Sequence, residues 1–556
     1  MEEDKKFEHT IEEVQKRDEE RVAQQRADAY GYEYLNLSMA PVQYDALTLI
    51  KEKYAREARI AIIKQTESGI TVAVEDPKNK ATKEALEDLK KDYSVHVVIT
   101  SHSGLEEAWE GYPPEVSSKR SITGYVDIST EVLEQFRDAI KSVEDVQKLL
   151  KQISQSDASS AFEIAISAAL TLEATDIHIE PQEDKNILRM RFDGLLYEVA
   201  ELDDRLYKLI LSRIKLLAKL KLNVHNEPQE GRLSVKFEER EIELRISILP
   251  SEYNEDVAMR ILDPKNLLSL KQLGLRKDLE TTLKHHLKQP QGLIVVTGPT
   301  GSGKTTTLYA GITFIKNTEV KVITIEDPIE YHLGGITQTQ TNVEKEYTFE
   351  KGVRAILRQD PNVVLISELR GLDSAEPALQ AALAGRLVLS TLHTVDAAGA
   401  APRLIDLGAD PSTVASALTA SVAQRLVRKL CEKCKKERQL TPEEFKIFNK
   451  LLNSLPDTVK HPSITPERKI YTANKPGCAN CRNTGYRGRE AVYEILTATK
   501  SIKKKIMNNP PEEELRDFAY AEGMTSIKQD AVLKIMEGKT DTEEVERVLG
   551  SFNMET

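Results

Sequence analysis

At 556 residues, with a hydrophobic share of 40%, a charged share of 30% and a formal net charge of −12, the chain is long enough for roughly three to five soluble globular domains. No apolar run approaches the ~18–20 residues that a membrane-spanning helix needs. The charged start Met1-Glu2-Glu3-Asp4-Lys5-Lys6, with no apolar stretch behind it, predicts no signal peptide and a place in the cytosol. The acidic balance argues against a surface devoted to nucleic acid.

In chain order, residues 1–29 are highly charged with sparse apolar positions and read as a solvated helix or partly ordered arm. Residues 30–113 change texture. Ile60–Ile63 and Ile70–Val74 are strand-like around a Glu67-Ser68-Gly69 turn, Ala81–Lys90 has a helical pattern and Val95–Ile99 reads as another strand, giving a small α+β domain. Gly111-Tyr112-Pro113-Pro114 and Ser117–Arg120 open a linker over 114–135. Residues 136–264 form a second α+β domain. Helical periodicity runs to about 174, strands are expected at Ile177–Ile179, Leu188–Phe192, Leu233–Phe237 and Ile242–Ile248, and a helix at Leu206–Leu222. From 265 to 425 strands alternate with helices: Leu293–Val296, Val322–Ile325, Val363–Ile366 and Leu387–Ser390 are the strands. Such alternation predicts a mostly parallel sheet covered by helices. Residues 426–496 hold all four cysteines, and 497–556 is helical and charged.

The most specific chemistry is GPTGSGKT at Gly298–Thr305, set between a strand and a helix. Gly298, Pro299, Thr300, Gly301, Ser302 and Gly303 would wrap backbone N–H groups around phosphates, with Thr306 next to them at the helix start. Lys304 would reach the β- and γ-phosphates and the Thr305 hydroxyl would bind Mg²⁺, while the following helix points its positive dipole end at the anion. Three further strands end in polar groups. Ile325-Glu326-Asp327-Pro328-Ile329-Glu330 brings carboxylates to a strand end, where ligands bind in open α/β sheets. Val363–Glu368 is an apolar strand ending in an acid that can polarise the attacking water or hold Mg²⁺ through water. Leu389–Thr394 ends in a cluster with His393, suited to sensing a γ-phosphate. Alone, each has an ordinary reading as a cap, a solvated loop or a structural histidine; the ordered set points to nucleotide hydrolysis.

The cysteines fall as Cys431-x-x-Cys434 and Cys478-x-x-Cys481. In a cytosolic chain two such pairs read as a tetrahedral Zn²⁺ site, with reduced or redox-active pairs as the alternative. The long stretch between them must loop out, and Lys429, Lys433, Lys435 and Arg482 would help hold thiolates.

The motifs together resemble the secretion and type IV pilus ATPase superfamily, in its pilus-extension and type II secretion branch. Thr297–Ala310, the acidic ITIEDPIEY of Ile323–Tyr331, Leu357–Arg370 and Leu387–Thr394 match its four core boxes, and Ala423–Cys434 with Gly485–Arg489 its zinc module. Glu522–Ile527 and Gly538–Val548 resemble its C-terminal helices. Upstream, Ala174–Pro181, Arg191–Gly194, Ser212–Leu220 and Pro228–Arg232 match the domain before the core, and residues 30–112 its N-terminal domain. The resemblance implies an α/β multidomain chain with a RecA-like P-loop ATPase core, a preceding PAS-like α+β domain, a zinc module and C-terminal helices. It further implies a homo-hexameric motor, using ATP, Mg²⁺ and Zn²⁺ without handling nucleic acid directly. That motor would turn or lift an inner-membrane platform protein at the cytoplasmic face, and so assemble a type IV pilus or type II secretion pseudopilus. Lys304, Glu330, Glu368 and His393 would be catalytic, with Arg232 and Arg245, and further Arg191 and Arg260, pointing into the nucleotide site; arginine forks stabilise charge on a transferring phosphoryl group.

Several positions depart from the family pattern: Ser367 for a glycine, Gly371 for an aspartate, Arg386 for a histidine, Val395 for an asparagine, and Asn226 and Asn254 upstream. The pattern by which some relatives bind a cyclic dinucleotide is not found before Tyr30, so the N-terminal domain is expected to dock on a membrane-associated partner. An active but diverged ATPase is the leading expectation. A structural ring subunit with little hydrolysis and a DNA-uptake or transfer motor are the alternatives. Arg386 is expected to pair with an acidic neighbour, the commoner use of such a charge.

Overall fold

A computed structural model describes residues 18–37, 44–47, 49–50, 52–66, 69–110, 125–126, 139–140, 142–152, 158–237, 240–342 and 346–552. The chain divides into two compact units, Met1–Lys119 and Arg120–Thr556. Most of the expected linker, with Gly111–Pro114 and Ser117–Arg120, lies outside the described residues, as do residues 1–17.

In the first unit a four-stranded sheet runs in the order Glu33–Tyr34, Val95–Ile99, Gly69–Val74, Ile60–Thr66. The hairpin between the last two and the helix Lys80–Asp92 follow the alternation seen in the sequence. Residues 18–30 are helical and bury Ala23 and Ala27 in this unit's core. The charged arm is therefore not solvated all round; two alanines among long charged side chains make too faint a stripe to read.

The second unit holds two seven-stranded sheets. The first has the order Tyr125–Val126, Gln229–Phe237, Arg240–Pro250, Glu255–Leu262, Asp176–Pro181, Asn186–Phe192, Leu195–Leu202, and packs the helices Val143–Gln152, Ala158–Thr171 and Asp204–Leu217. The last helix ends short of the expected Leu222. Lys219 turns left-handed (φ 58°) and the Leu220 N–H closes back on the Lys215 carbonyl at 2.8 Å, an end that glycine usually signals. Strands Leu195–Leu202 and Glu255–Leu262 were not expected from the sequence. A fully buried ion pair fixes this helix to the sheet: Lys215 Nζ donates to Glu255 Oε2 at 2.8 Å and to the Val224 carbonyl at 2.8 Å, while the Tyr207 hydroxyl donates to the Glu255 carbonyl at 2.7 Å.

The second sheet has the order Thr337–Gln340, Val322–Glu326, Val363–Ile366, Leu387–Leu392, Gly292–Thr297, Leu418–Leu430, Tyr486–Thr497. All neighbours are parallel except the last pair. Strands Gly292–Thr297, Val322–Glu326, Val363–Ile366 and Leu387–Leu392 are buried along their whole length, as expected for a parallel sheet with helices on both faces. Beyond this sheet the helices Lys500–Ile506, Glu512–Ala521, Ile527–Met536 and Thr542–Leu549 pack back on it. Among the described residues no helix is long and apolar enough to cross a membrane.

Removing one member of a buried ion pair strands the other charge. Lys215→Met should therefore destabilise the second unit by roughly 3–5 kcal/mol, read as an earlier urea transition, whereas the exposed Lys208→Met should leave it within about 0.5 kcal/mol. Equal midpoints for the two variants would show that Lys215 does not hold the helix.

Candidate functional site

Register builds the site. In the parallel sheet Thr297 lies beside Leu392 on one side and Ala423 on the other, and Ile366 pairs with Ser390 and Ile325. The segments that leave these strands therefore emerge at one edge. They are the phosphate loop from Gly298, the acidic segment to Glu330, Ser367-Glu368 and His393-Thr394; Gln424-Arg425 come next to Ala423 inside the strand Leu418–Leu430.

The loop's glycines take conformations closed to other residues: φ is 146° at Gly298, 76° at Gly301 and 88° at Gly303. A Cβ on Gly298 would lie 2.6 Å from the Gln424 carbonyl oxygen and 2.7 Å from Ser302 Oγ. Ser302 Oγ is buried and has no hydrogen-bond partner among the described residues. Pro299, Thr300 and Gly301 are exposed, while Thr305 and Thr306 are half-buried at the start of the helix Lys304–Ile315. An unsatisfied hydroxyl and a ring of backbone around space that a Cβ would fill suit a phosphate group. Lys304 Nζ donates to the Gly298 carbonyl at 2.9 Å and the Pro299 carbonyl at 3.0 Å, so it is already folded over the loop. Burial lowers its pKa, countered by Glu368 and Glu330 and reinforced by Arg425.

The three carboxylates of the acidic segment separate. Glu326 is buried and takes bonds from Tyr309, Thr324 and Gln338, a structural role. Asp327 meets Arg370 at 3.5 Å. Burial pushes the Glu330 carboxyl above the ordinary range, against the pull of Arg245, the Thr305 side chain and Arg260. Glu368 is gripped from two sides, by His393 Nε2 at 3.1 Å and Arg370 Nε at 3.0 Å. The turn carrying His393 is tied to the loop strand, since the Thr394 N–H donates to Thr297 Oγ1 at 2.9 Å.

The preceding sheet carries a row of cations. Arg232 pairs in register with Arg245, Arg245 with Arg260, Arg260 with Asp176, and Asp176 with Arg191. Cross-strand neighbours share a face, so this is one rung. Arg260 and Arg191 both hold Asp176, at 3.0 and 3.2 Å. Arg245 reaches the Ile329 carbonyl, next to Glu330. Arg232 is exposed and, among the described residues, has no partner.

The four sulfurs lie within 4.8 Å of one another. Cys431–Cys478, Cys434–Cys481 and Cys478–Cys481 are 3.9, 3.7 and 3.8 Å apart. No disulfide is formed at these separations, and they fit the edge of a tetrahedron with roughly 2.3 Å Zn–S bonds, about 3.8 Å. The Cys478 and Gly485 N–H groups each donate to Cys481 Sγ at 3.2 Å, and Asn480 Nδ2 to Cys431 Sγ at 3.4 Å. Arg482 and Lys435, expected beside the thiolates, are engaged elsewhere. Arg482 faces Asp193 and Glu173 and stacks on Phe192, and Lys435 meets Glu432 and the Gly538 carbonyl. The looped-out stretch forms the hairpin Lys436–Gln439 with Lys469–Thr472 and the helix Pro442–Asn453.

The type II/IV secretion system protein family matches residues 152–547. The chain belongs to that family. It is 34% identical over 93% of its length, and 88% of the relative's, to the Type IV pilus assembly ATPase PilB of Myxococcus xanthus. It is 40% identical over 69% of its length, and 74% of the relative's, to the Type II secretion system protein E of Aeromonas hydrophila. Residues 30–118 match the MshEN domain. The crystal structure of the ATPase DotB of Yersinia pseudotuberculosis covers 72% of this chain and 96% of its own at a TM-score of 0.52 and 20% identity, a likeness of fold. The chain is thus a member of a family of secretion and pilus-assembly ATPases with a RecA-like core.

The departures from the family pattern fall where backbone does the work. Ser367 donates its N–H to the Ile325 carbonyl, and its own carbonyl accepts from the Thr391 hydroxyl. Val395 contributes only its carbonyl, to Arg425 at 2.7 Å. At Gly371 the helix start is capped instead by Asp373 and Ser374. Arg386 pairs with Asp360 at 3.0 Å at the opposite end of its strand from His393, as expected. Two residues escaped the sequence reading. Gln424 donates to the Ser302 carbonyl at 2.6 Å and accepts from Thr307 at 2.7 Å, and Arg425 lies against Gly298. Both follow the run Leu418–Ala423 and lie inside a strand that continues to Leu430.

Gly298→Ala places a methyl against backbone at a φ few residues adopt. It should weaken nucleotide binding at least tenfold while leaving far-ultraviolet circular dichroism unchanged. Unaltered affinity would mean the loop is less closely held than described.

Proposed function

We propose that this chain is the ATP-hydrolysing subunit of a homo-hexameric ring that powers assembly of a type IV pilus or type II secretion pseudopilus. It would act at the cytoplasmic face of the inner membrane by driving a platform protein. The observation that carries this is the convergence, in a chain of this family, of Lys304, Thr305, Glu330, Glu368 and His393 at one sheet edge under arginines of the preceding domain.

In this reading Lys304 exchanges the Gly298 and Pro299 carbonyls for β- and γ-phosphate oxygens. Thr305 and, through water, Glu368 would hold Mg²⁺, which when bound neutralises phosphate charge. Glu368, fixed by His393 and Arg370, orients the water that attacks the γ-phosphorus as the bond to ADP breaks. Arg245 and Arg232 face the charge that spreads over the γ-oxygens. Because these arginines belong to a different sheet from Lys304, loss of the γ-phosphate changes what holds the two domains together, and that change is the source of mechanical work. The four cysteines would hold a structural Zn²⁺, the N–H donors to sulfur favouring thiolates.

Two experiments test this. Mg²⁺-dependent ATP turnover of the wild type should rise with protein concentration as rings form, and Glu368→Gln should lose it by 10²-fold or more while still binding ATP. Turnover surviving in Glu368→Gln would remove Glu368 from its role; absence of turnover in both, with ATP bound, would favour a structural ring subunit. Separately, the purified chain should carry one zinc per subunit, and Cys431→Ser should lose it and melt locally because metal binding and folding are coupled. Unchanged metal content would reject the zinc site.

A further inference from the structure

The strand Leu418–Leu430 brings Arg425 to the side of the phosphate loop. Its Nη1 donates to the Gln424 carbonyl at 2.9 Å and its Nη2 to the Val395 carbonyl at 2.7 Å. Neither partner is charged, and among the described residues no carboxylate lies within ion-pair distance. The two acids that act on it through space, Glu494 and Asp396, are engaged by others. Asp396 holds Arg516 at 3.1 Å and the Gly399 N–H at 2.8 Å. Glu494 takes the Ala397 and Ile527 N–H groups and the Tyr520 hydroxyl.

A half-buried guanidinium without a carboxylate partner is costly. The cost rises because Arg425 and Lys304 disfavour one another's charge. The two cations flank Gly298: Lys304 Nζ bonds its carbonyl, and a Cβ there would lie 3.0 Å from Arg425 Nη1. A polyanion at the loop would balance the two charges. We propose that Arg425 is a positioning residue of the phosphate site, a second cation that attracts the nucleotide's phosphates from behind the loop while its fork ties the strand beside that loop to the turn following His393. The inference rests on the nucleotide-site reading above.

The test titrates the full chain with fluorescent N-methylanthraniloyl ATP and AMP in Mg²⁺, at low and at 0.5 M salt, for wild type, Arg425→Gln and Arg425→Lys. A unit charge several ångströms from several phosphate charges is worth about tenfold or more in affinity at an effective dielectric near 20. Arg425→Gln should thus weaken ATP about tenfold at low salt, AMP much less, with the difference shrinking at high salt. Arg425→Lys should stay within about threefold of wild type. If Arg425→Gln melts early, Arg425→Met, which fills the same space without charge, carries the same expectations. Wild-type affinity in the neutral variants, or an equal loss for ATP and AMP, or a lysine variant as weak as the glutamine one, overturns the proposal and leaves Arg425 a backbone tether. A wild type that binds neither nucleotide would overturn the nucleotide-site reading itself.

Discussion

A phosphate loop rich in glycine has few side chains with which to hold its own shape, and its backbone must still present N–H groups to an anion. Gly298, Gly301 and Gly303 all sit at positive φ, conformations with a high entropic cost of ordering. The order is imposed from outside. Gln424 grips the Ser302 carbonyl from the neighbouring strand, Lys304 folds over Gly298, and Thr297 anchors the turn behind His393. Each restraint comes from a strand next to Gly292–Thr297 or from the helix that follows the loop, so the loop's geometry is a property of the sheet.

The same strands reach outward from the loop. Leu418–Leu430 runs without a break from the side of the loop to the residue before Cys431. The second cysteine knuckle then docks on the preceding domain through Arg482, buried over Phe192 and facing Asp193 and Glu173. On the other side Arg245 reaches the backbone beside Glu330. The preceding domain therefore meets the core beside Glu330 and again at the cysteine cluster.

Much of this was legible in the sequence because the signals were local. The glycine spacing, the apolar strands before each polar segment and the paired cysteines each fix a backbone conformation or a ligand set within a few residues. The arginine rung was legible only as separate candidates. Arg232, Arg245, Arg260 and Arg191 are far apart in sequence, and only the antiparallel register of the sheet lines them up. The three acids at Glu326, Asp327 and Glu330 looked alike as a run; burial and partners gave them different roles. Gln424 and Arg425 were hidden because they sit inside a long strand, with no turn residue to announce a site. The helix end at Lys219 and the buried alanines of residues 18–30 were missed because a lysine and small residues among charges carry weak signals.

The domain before the core is held to complete the ATP site, and Arg232 tests this most directly, being exposed, in the rung and without a partner among the described residues. Measuring both steady-state turnover and nucleotide affinity for Arg232→Ala separates the possibilities. A group that meets charge developing only in the transition state should cost kcat about 10²-fold and affinity only a few-fold. Turnover and affinity both at wild-type levels would mean that the rung does not face the reacting phosphate, and the coupling between the domains would have to be sought elsewhere.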